Sequence, residues 1–184
     1  TMTLVGLVVR ANEQDIKHIR GTMNIFFLDT TPDTSAKYLC DKHIPKMLLE
    51  SCQMLSTAVQ KYTDRIDELY KPAYPKHPST IWAGTTRNNF VWLLEHANEI
   101  NYQYEIRYNK KHKSKRILDI IQDRGYDSKI PLGNTKWITT PPQCMPDEYK
   151  HEDYITAYRN YYKGAKRYFA KWDKLNNKPD WWTE

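Results

Sequence analysis

Lys46-Met47-Leu48-Leu49-Glu50-Ser51-Cys52-Gln53-Met54-Leu55-Ser56-Thr57-Ala58-Val59-Gln60-Lys61-Tyr62 decides the fold class. Met47, Leu48, Cys52, Leu55 and Val59 recur close to the helical period, so this stretch reads as a helix with one apolar stripe. Just before it, Thr31 and Pro32 read as the cap and first residue of another helix running through Tyr38 and Leu39 toward Asp41-Lys42-His43. Pro45 lacks a backbone donor and crowds the preceding turn, which predicts a break or kink at His43-Ile44. Downstream, Asp64 to Tyr70 reads as a polar helical turn, and the three prolines of residues 71–78 as a loop. Ser79 or Thr80 caps a short turn through Ala83, and Gly84 ends it. Thr85 or Thr86 then caps a long helix, Arg87 to about Tyr108. Its buried face is Phe90, Leu93, Leu94, Ala97, Ile100, Asn101 and Tyr104.

The ends of the chain follow from the same arguments. Leu4 to Val9 and Met23 to Asp29 have strand-like content, Ala11 to Arg20 has helical spacing, and Gly21 separates them. Ile117 to Gln122 reads as a short helix, and residues 123–142 as irregular. The last long helix is expected from Met145 to about Leu175. On it Tyr154, Tyr158, Tyr161, Ala165, Tyr168 and Trp172 form an aromatic stripe, expected to pack on the Phe90–Tyr104 helix. The expected fold is mainly α: a single compact helical domain over residues 23–184, with one or two short N-terminal strands, preceded by an extension of residues 1–22.

Composition narrows the function classes. The 184 residues carry 28 Lys+Arg against 22 Asp+Glu, a net charge of +6. No apolar run approaches the ~20 residues of a membrane span, so no membrane partner is expected. Three cysteines, an odd count without a Cys-x-x-Cys pair, point to buried thiols and a cytoplasmic setting. Six glycines leave little room for a phosphate loop, a dinucleotide fingerprint or a nucleophile elbow, and none is present. No cofactor is expected. A metal is not expected either: His96 and Glu99 stand one turn apart without a further ligand pattern, and read as a salt-bridged helix surface.

Four constellations carry candidate chemistry. His43, Lys46, Glu50 and Gln53 share one helix face, with Asp41 and Lys42 at the expected break. Lys46 would be nucleophile or charge stabiliser, with Glu50, His43 and Asp41 as catalytic partners; the plain alternative is a solvated Lys46–Glu50 pair. His77, before a capped turn, and Arg87, at a helix start, are candidate anion binders. Residues 107–116 hold six Lys or Arg, among them Lys110, Lys111 and Lys113. Arg159, Lys163 and Lys166 flank the aromatic stripe, expected to face outward. With Lys42 these cations read as a nucleic-acid surface, in which Lys and Arg hold phosphates and aromatics stack on bases.

The segments Met23-Asn24-Ile25-Phe26-Phe27-Leu28-Asp29, Asp41-Lys42-His43-Ile44-Pro45-Lys46-Met47-Leu48-Leu49-Glu50-Ser51, His77-Pro78-Ser79-Thr80-Ile81-Trp82-Ala83, Met145-Pro146-Asp147-Glu148-Tyr149-Lys150 and Tyr158-Arg159-Asn160-Tyr161-Tyr162 resemble a family of small proteins of large tailed bacteriophages, marine cyanophages included. The resemblance spans about Met23 to Trp182 and implies a phage source and a host-cytoplasm setting. Where this chain has Ile44-Pro45, that family more often has Val-Val, so Pro45 is a departure. The expected function is action on nucleic acid, with excision or modification of a base at a Lys/Glu/His site. Two alternatives stand beside it: a non-catalytic single-strand binder, and a nucleotide-binding or sequestering protein with His43, Lys46, His77 and Arg87 around a closed pocket.

Overall fold

The computed structural model describes residues 23–183. The expected 1–22 extension, with its strand at Leu4 to Val9, lies outside them. Six α-helices follow in order: α1 Pro32–Lys37, α2 His43–Gln60, α3 Pro78–Thr85, α4 Arg87–Tyr108, α5 Lys115–Arg124 and α6 Tyr154–Tyr161. Short 3-10 turns at Tyr126–Lys129 and Asp147–Tyr149 join them, and a π-helical turn, Tyr162–Lys166, continues α6. Helices α1, α2, α3 and α5 all pack on α4. No helix among the described residues is long and apolar enough to cross a membrane.

Residues 23–28 are the main correction to the expected fold. They form no strand. All six are buried, so each backbone group needs a partner, and side chains supply several. Ser35 Oγ donates to Phe26 O and accepts from Leu28 N, and Arg159 Nε donates to Leu28 O. The Asn24 side chain bridges Ile25 N and Cys144 O. Apolar and aromatic content fits a strand, yet it equally fits a buried extended segment threaded through a helical core.

Pro45 is the second correction. The chain breaks earlier, over residues 38–42, and α2 begins at His43. Pro45 is therefore the third residue of α2, where a backbone N–H has no helical partner in any case. Asp64 to Tyr70 is a non-helical turn. His77, rather than Ser79 or Thr80, caps α3: its Nδ1 accepts from Ser79 N, with Pro78 at the first position. Thr86 caps α4 through Asn89 N, as its sequence position predicts.

The expected last long helix is cut short. Its α-helical part ends at Tyr161, and the chain beyond Lys166 turns irregularly. The aromatic stripe splits with it. Tyr158 is fully buried and Trp172 nearly so, while Tyr168 is 84% exposed. The Tyr158 ring lies against Phe26 and Phe27 rather than on α4, and Phe27 in turn meets Trp92 of α4. The Tyr158 hydroxyl donates to Pro142 O at 2.6 Å. We expect Tyr158→Ala to cost ~3 kcal/mol or more, as for other large buried rings, measured by chemical denaturation.

Candidate active site

Glu50 lies two turns into α2, 3% exposed, and neither carboxylate oxygen has a hydrogen-bond partner. Met23, Asn24, Phe26, His43, Lys46, Met47, Tyr161 and Lys166 line the cleft around it. The cleft spans about 230 Å³, part of it open to solvent, and its inner part is narrow. It takes about one water, not a whole base. Burial pushes the Glu50 carboxyl up to about 8, with Lys46 and Lys166 pulling the other way. The group is therefore protonated at neutral pH. Desolvation disfavours the anion, and no hydrogen bond restores it.

His43 stands two turns before Glu50 on the same face of α2. Its Nδ1 is 2.6 Å from the Tyr162 hydroxyl, and its ring stacks on Phe26 at 4.6 Å. Burial, then Lys166, Lys46 and Lys42, push the imidazole down to about 3. His43 is thus a neutral hydrogen-bonding wall of the cleft and does not carry charge at neutral pH. Lys46, four residues before Glu50, is exposed at the cleft.

Lys166 corrects the outward reading of the last helix. The π-helical turn carries one extra residue per turn relative to the α-helical pattern, so the register of the stripe shifts. Lys166 then enters the cleft, its Nζ 4.8 Å from the Tyr161 ring centre. Burial lowers its ammonium below the usual lysine range. Gly164 permits this turn: a Cβ there would run into the Tyr149 ring.

The remaining predicted residues lie elsewhere. Asp41 is not among the cleft-lining residues. Its carboxylate pairs with Arg107 at 3.2 Å, and its other oxygen accepts from Lys174 N. Neither His77 nor Arg87 lines the cleft, so the four-residue anion pocket does not form. Arg87 instead donates to the carbonyls of Ser128 and Ile130. His96 is neither a metal ligand nor a surface residue. It is buried, stacked on Trp92, within hydrogen-bond distance of Pro32 O, and pushed down to about 4 by burial. Among the described residues no group of three or more His, Cys, Asp or Glu side chains is placed to hold a metal ion. All three cysteines are buried, and none is in a disulfide.

The basic segment at 107–116 is less available than its composition implies. Arg107 is buried, Lys111 pairs with Glu105, and Lys115 with Asp119. Lys110 and Lys113 are exposed. Arg159 lies over the Tyr38 and Trp181 rings. A different cationic group stands out. Lys42, Lys163, Lys166, Arg167 and Lys171 have no ion pair with a carboxylate among the described residues.

These features define a helical protein whose cleft sets a protonated, unpaired carboxyl beside two lysines. Residues 23–116, just over half of the chain, match the family model described as pyrimidine dimer DNA glycosylase, and the chain belongs to that family. The matched stretch contributes His43, Lys46 and Glu50, while Tyr161 and Lys166 come from beyond it. No curated protein and no solved structure matches the chain. Sequence reasoning missed Asn24 and Tyr161 as cleft walls. Tyr161 carried a usable signal as part of the aromatic stripe.

Proposed function

We propose that this protein excises a base from DNA, with Glu50 as general acid and Lys46 as nucleophile. The observation that carries the reading is the buried, unpaired Glu50 carboxyl facing the two cleft lysines. A purely phosphate-binding surface has no use for such a group, because a carboxyl repels a polyanion once ionised. Family membership supplies the substrate class.

Lys46 Nζ, after giving up a proton to water, attacks C1′ of the target nucleotide, and the C1′–base bond breaks with its electron pair going to the base. Glu50 gives its proton to the leaving base. The resulting carboxylate then takes the proton from the new secondary ammonium. Lys166 holds positive charge near the ionised Glu50 in that interval, and His43, neutral and fixed by Tyr162, keeps the wall closed. The unpaired cations Lys42, Lys163, Arg167 and Lys171 hold the phosphates; Lys110 and Lys113 add a second, separate contact. Binding weakens steeply as salt rises, because phosphate contacts release counterions.

Borohydride reduction during turnover tests the nucleophile. Ring opening of the amine–sugar adduct, in which the C1′–O4′ bond breaks and O4′ takes up the proton from nitrogen, gives an imine at C1′, which borohydride reduces to a stable protein–DNA crosslink. Wild-type protein should crosslink to DNA carrying an ultraviolet pyrimidine dimer. Lys46→Ala should lose both the crosslink and cleavage of the dimer's C1′–base bond while keeping its melting temperature, since the side chain is exposed. Crosslinking that survives in Lys46→Ala would remove the nucleophile assignment.

A further inference from the structure

Tyr168 is 84% exposed, the most exposed of the large hydrophobic side chains among the described residues. Its ring meets Phe169 edge-on at 4.9 Å. Phe169 ties this turn to the cleft. Its ring is 5.2 Å from His43, and Lys42 Nζ lies 5.1 Å from its centre. Lys166, two residues before Tyr168, is inside the cleft. Tyr168 is therefore one ring beyond the cleft wall; Lys163, Lys166, Arg167 and Lys171 are close to it in sequence, Lys42 lies over the Phe169 ring, and the Arg167 guanidinium is held by Thr183 O and the Trp182 ring. Asp41 N donates to Lys171 O, which fixes that neighbourhood.

An exposed aromatic step surrounded by unneutralised cations fits a strand that carries phosphates outside and flat bases inside. We propose that Tyr168 is the platform on which a base of the bound DNA strand stacks, next to the nucleotide that lies across the mouth of the cleft. The cations track the backbone, and the ring takes the base face, which any base presents. The cleft is too narrow for a whole base, so a base turned out of the stack needs a surface at its mouth. Tyr168 provides one. The proposal rests on the base-excision reading for its choice of strand, but its chemistry is separate.

The test uses the full chain and a single-stranded DNA oligonucleotide with one 2-aminopurine, at about 50 mM salt. Wild-type protein should bind and quench the 2-aminopurine by stacking. Tyr168→Ala should bind about 10-fold or more weakly and lose the quench, with an unchanged melting temperature. Tyr168→Phe and Tyr168→Trp should restore both, because the ring face and not the hydroxyl is used. Wild-type affinity and quench in Tyr168→Ala would overturn the platform. If cleavage of the C1′–base bond in dimer-containing DNA persists in that case, the excision reading stands alone. If the Tyr168 effect is seen but the wild type releases no base, the excision reading falls and the platform stands. Loss of melting temperature in Tyr168→Ala, with Tyr168→Phe failing to restore the quench, would assign the ring to structure and also overturn the proposal.

Discussion

Glu50→Gln should lower the rate of base release by two to four orders of magnitude, the usual contribution of a positioned acid. The amide keeps the volume and the cleft walls, so DNA affinity should change little. The pH profile carries the same assignment. An acid held at about 8 is competent while protonated, so wild-type activity should fall as pH rises through about 8. The polyanionic substrate moves that fall upward, since nearby phosphates disfavour a second negative charge. Glu50→Gln should show no fall at that position.

Stability moves with opposite sign to activity in the same variant. Between about 4.5 and 8 the unfolded chain has lost the Glu50 proton and the folded chain retains it. Folding stability due to this group therefore declines as pH rises through that window. His43 and His96 act the other way. Their folded-state values, about 3 and about 4, lie below the ordinary histidine value. Between those values and about 6.5 the unfolded chain binds more protons, so stability rises with pH. The sum gives a maximum near pH 6.5, a loss toward acid, and a smaller loss between about 6.5 and 8. Glu50→Gln should abolish the alkaline loss and steepen the rise between about 4.5 and 6.5, where Glu50 offsets one of the two histidines. The variant should then be more stable by a few kcal/mol at pH 8.5, since each tenfold change in proton affinity is worth about 1.4 kcal/mol. Urea denaturation across pH 4 to 9 reads this directly. An unchanged alkaline limb in the variant would mean that Glu50 is hydrated and ionised in solution.

How much of this was legible depends on what each residue's neighbours are. The stripe of α2 was readable, because His43, Lys46 and Glu50 meet through local helical geometry alone. The Thr86 cap of α4 was readable for the same reason. Pro45 misleads because its effect depends on position: mid-helix it breaks, in the first turn it is tolerated. Lys166 escapes period counting because a π-helical turn changes the register after Tyr161, and period counting assumes a constant one. Its cause, the close approach of Gly164 to Tyr149, is tertiary. Residues 23–28 resemble a strand because their content fixes burial but not a hydrogen-bond partner. Those partners, Ser35, Cys144 and Arg159, lie from 7 to 131 residues away.

Asp41 is the clearest case, and it sets the second large effect. In the sequence it stands beside His43 and Lys46 as a catalytic candidate. In the fold its partner is Arg107, 66 residues on, whose side chain is wholly buried. That guanidinium also donates to Leu39 O at 2.7 Å and Lys37 O at 2.9 Å, and its Nε to Gln103 Oε1. It thus closes the end of α1 against α4, while Asp41 joins the start of α2 to Lys174 N. Removing the carboxylate leaves a buried cation without its counter-charge, which costs about 3–5 kcal/mol. Asp41→Ala should therefore lower the melting temperature by about 6–20 °C, at about 2–4 °C per kcal/mol for a chain of this size. Asp41→Asn keeps the shape and part of the hydrogen bonding, and should lose about half as much. In either variant, the base-release rate of the folded fraction below its melting transition should stay within about threefold of wild type. Asp41→Leu combined with Arg107→Met removes both charges, and should be less destabilised than the sum of the single changes. A large rate loss in Asp41→Asn at unchanged melting temperature would return Asp41 to the chemistry and remove it from the frame.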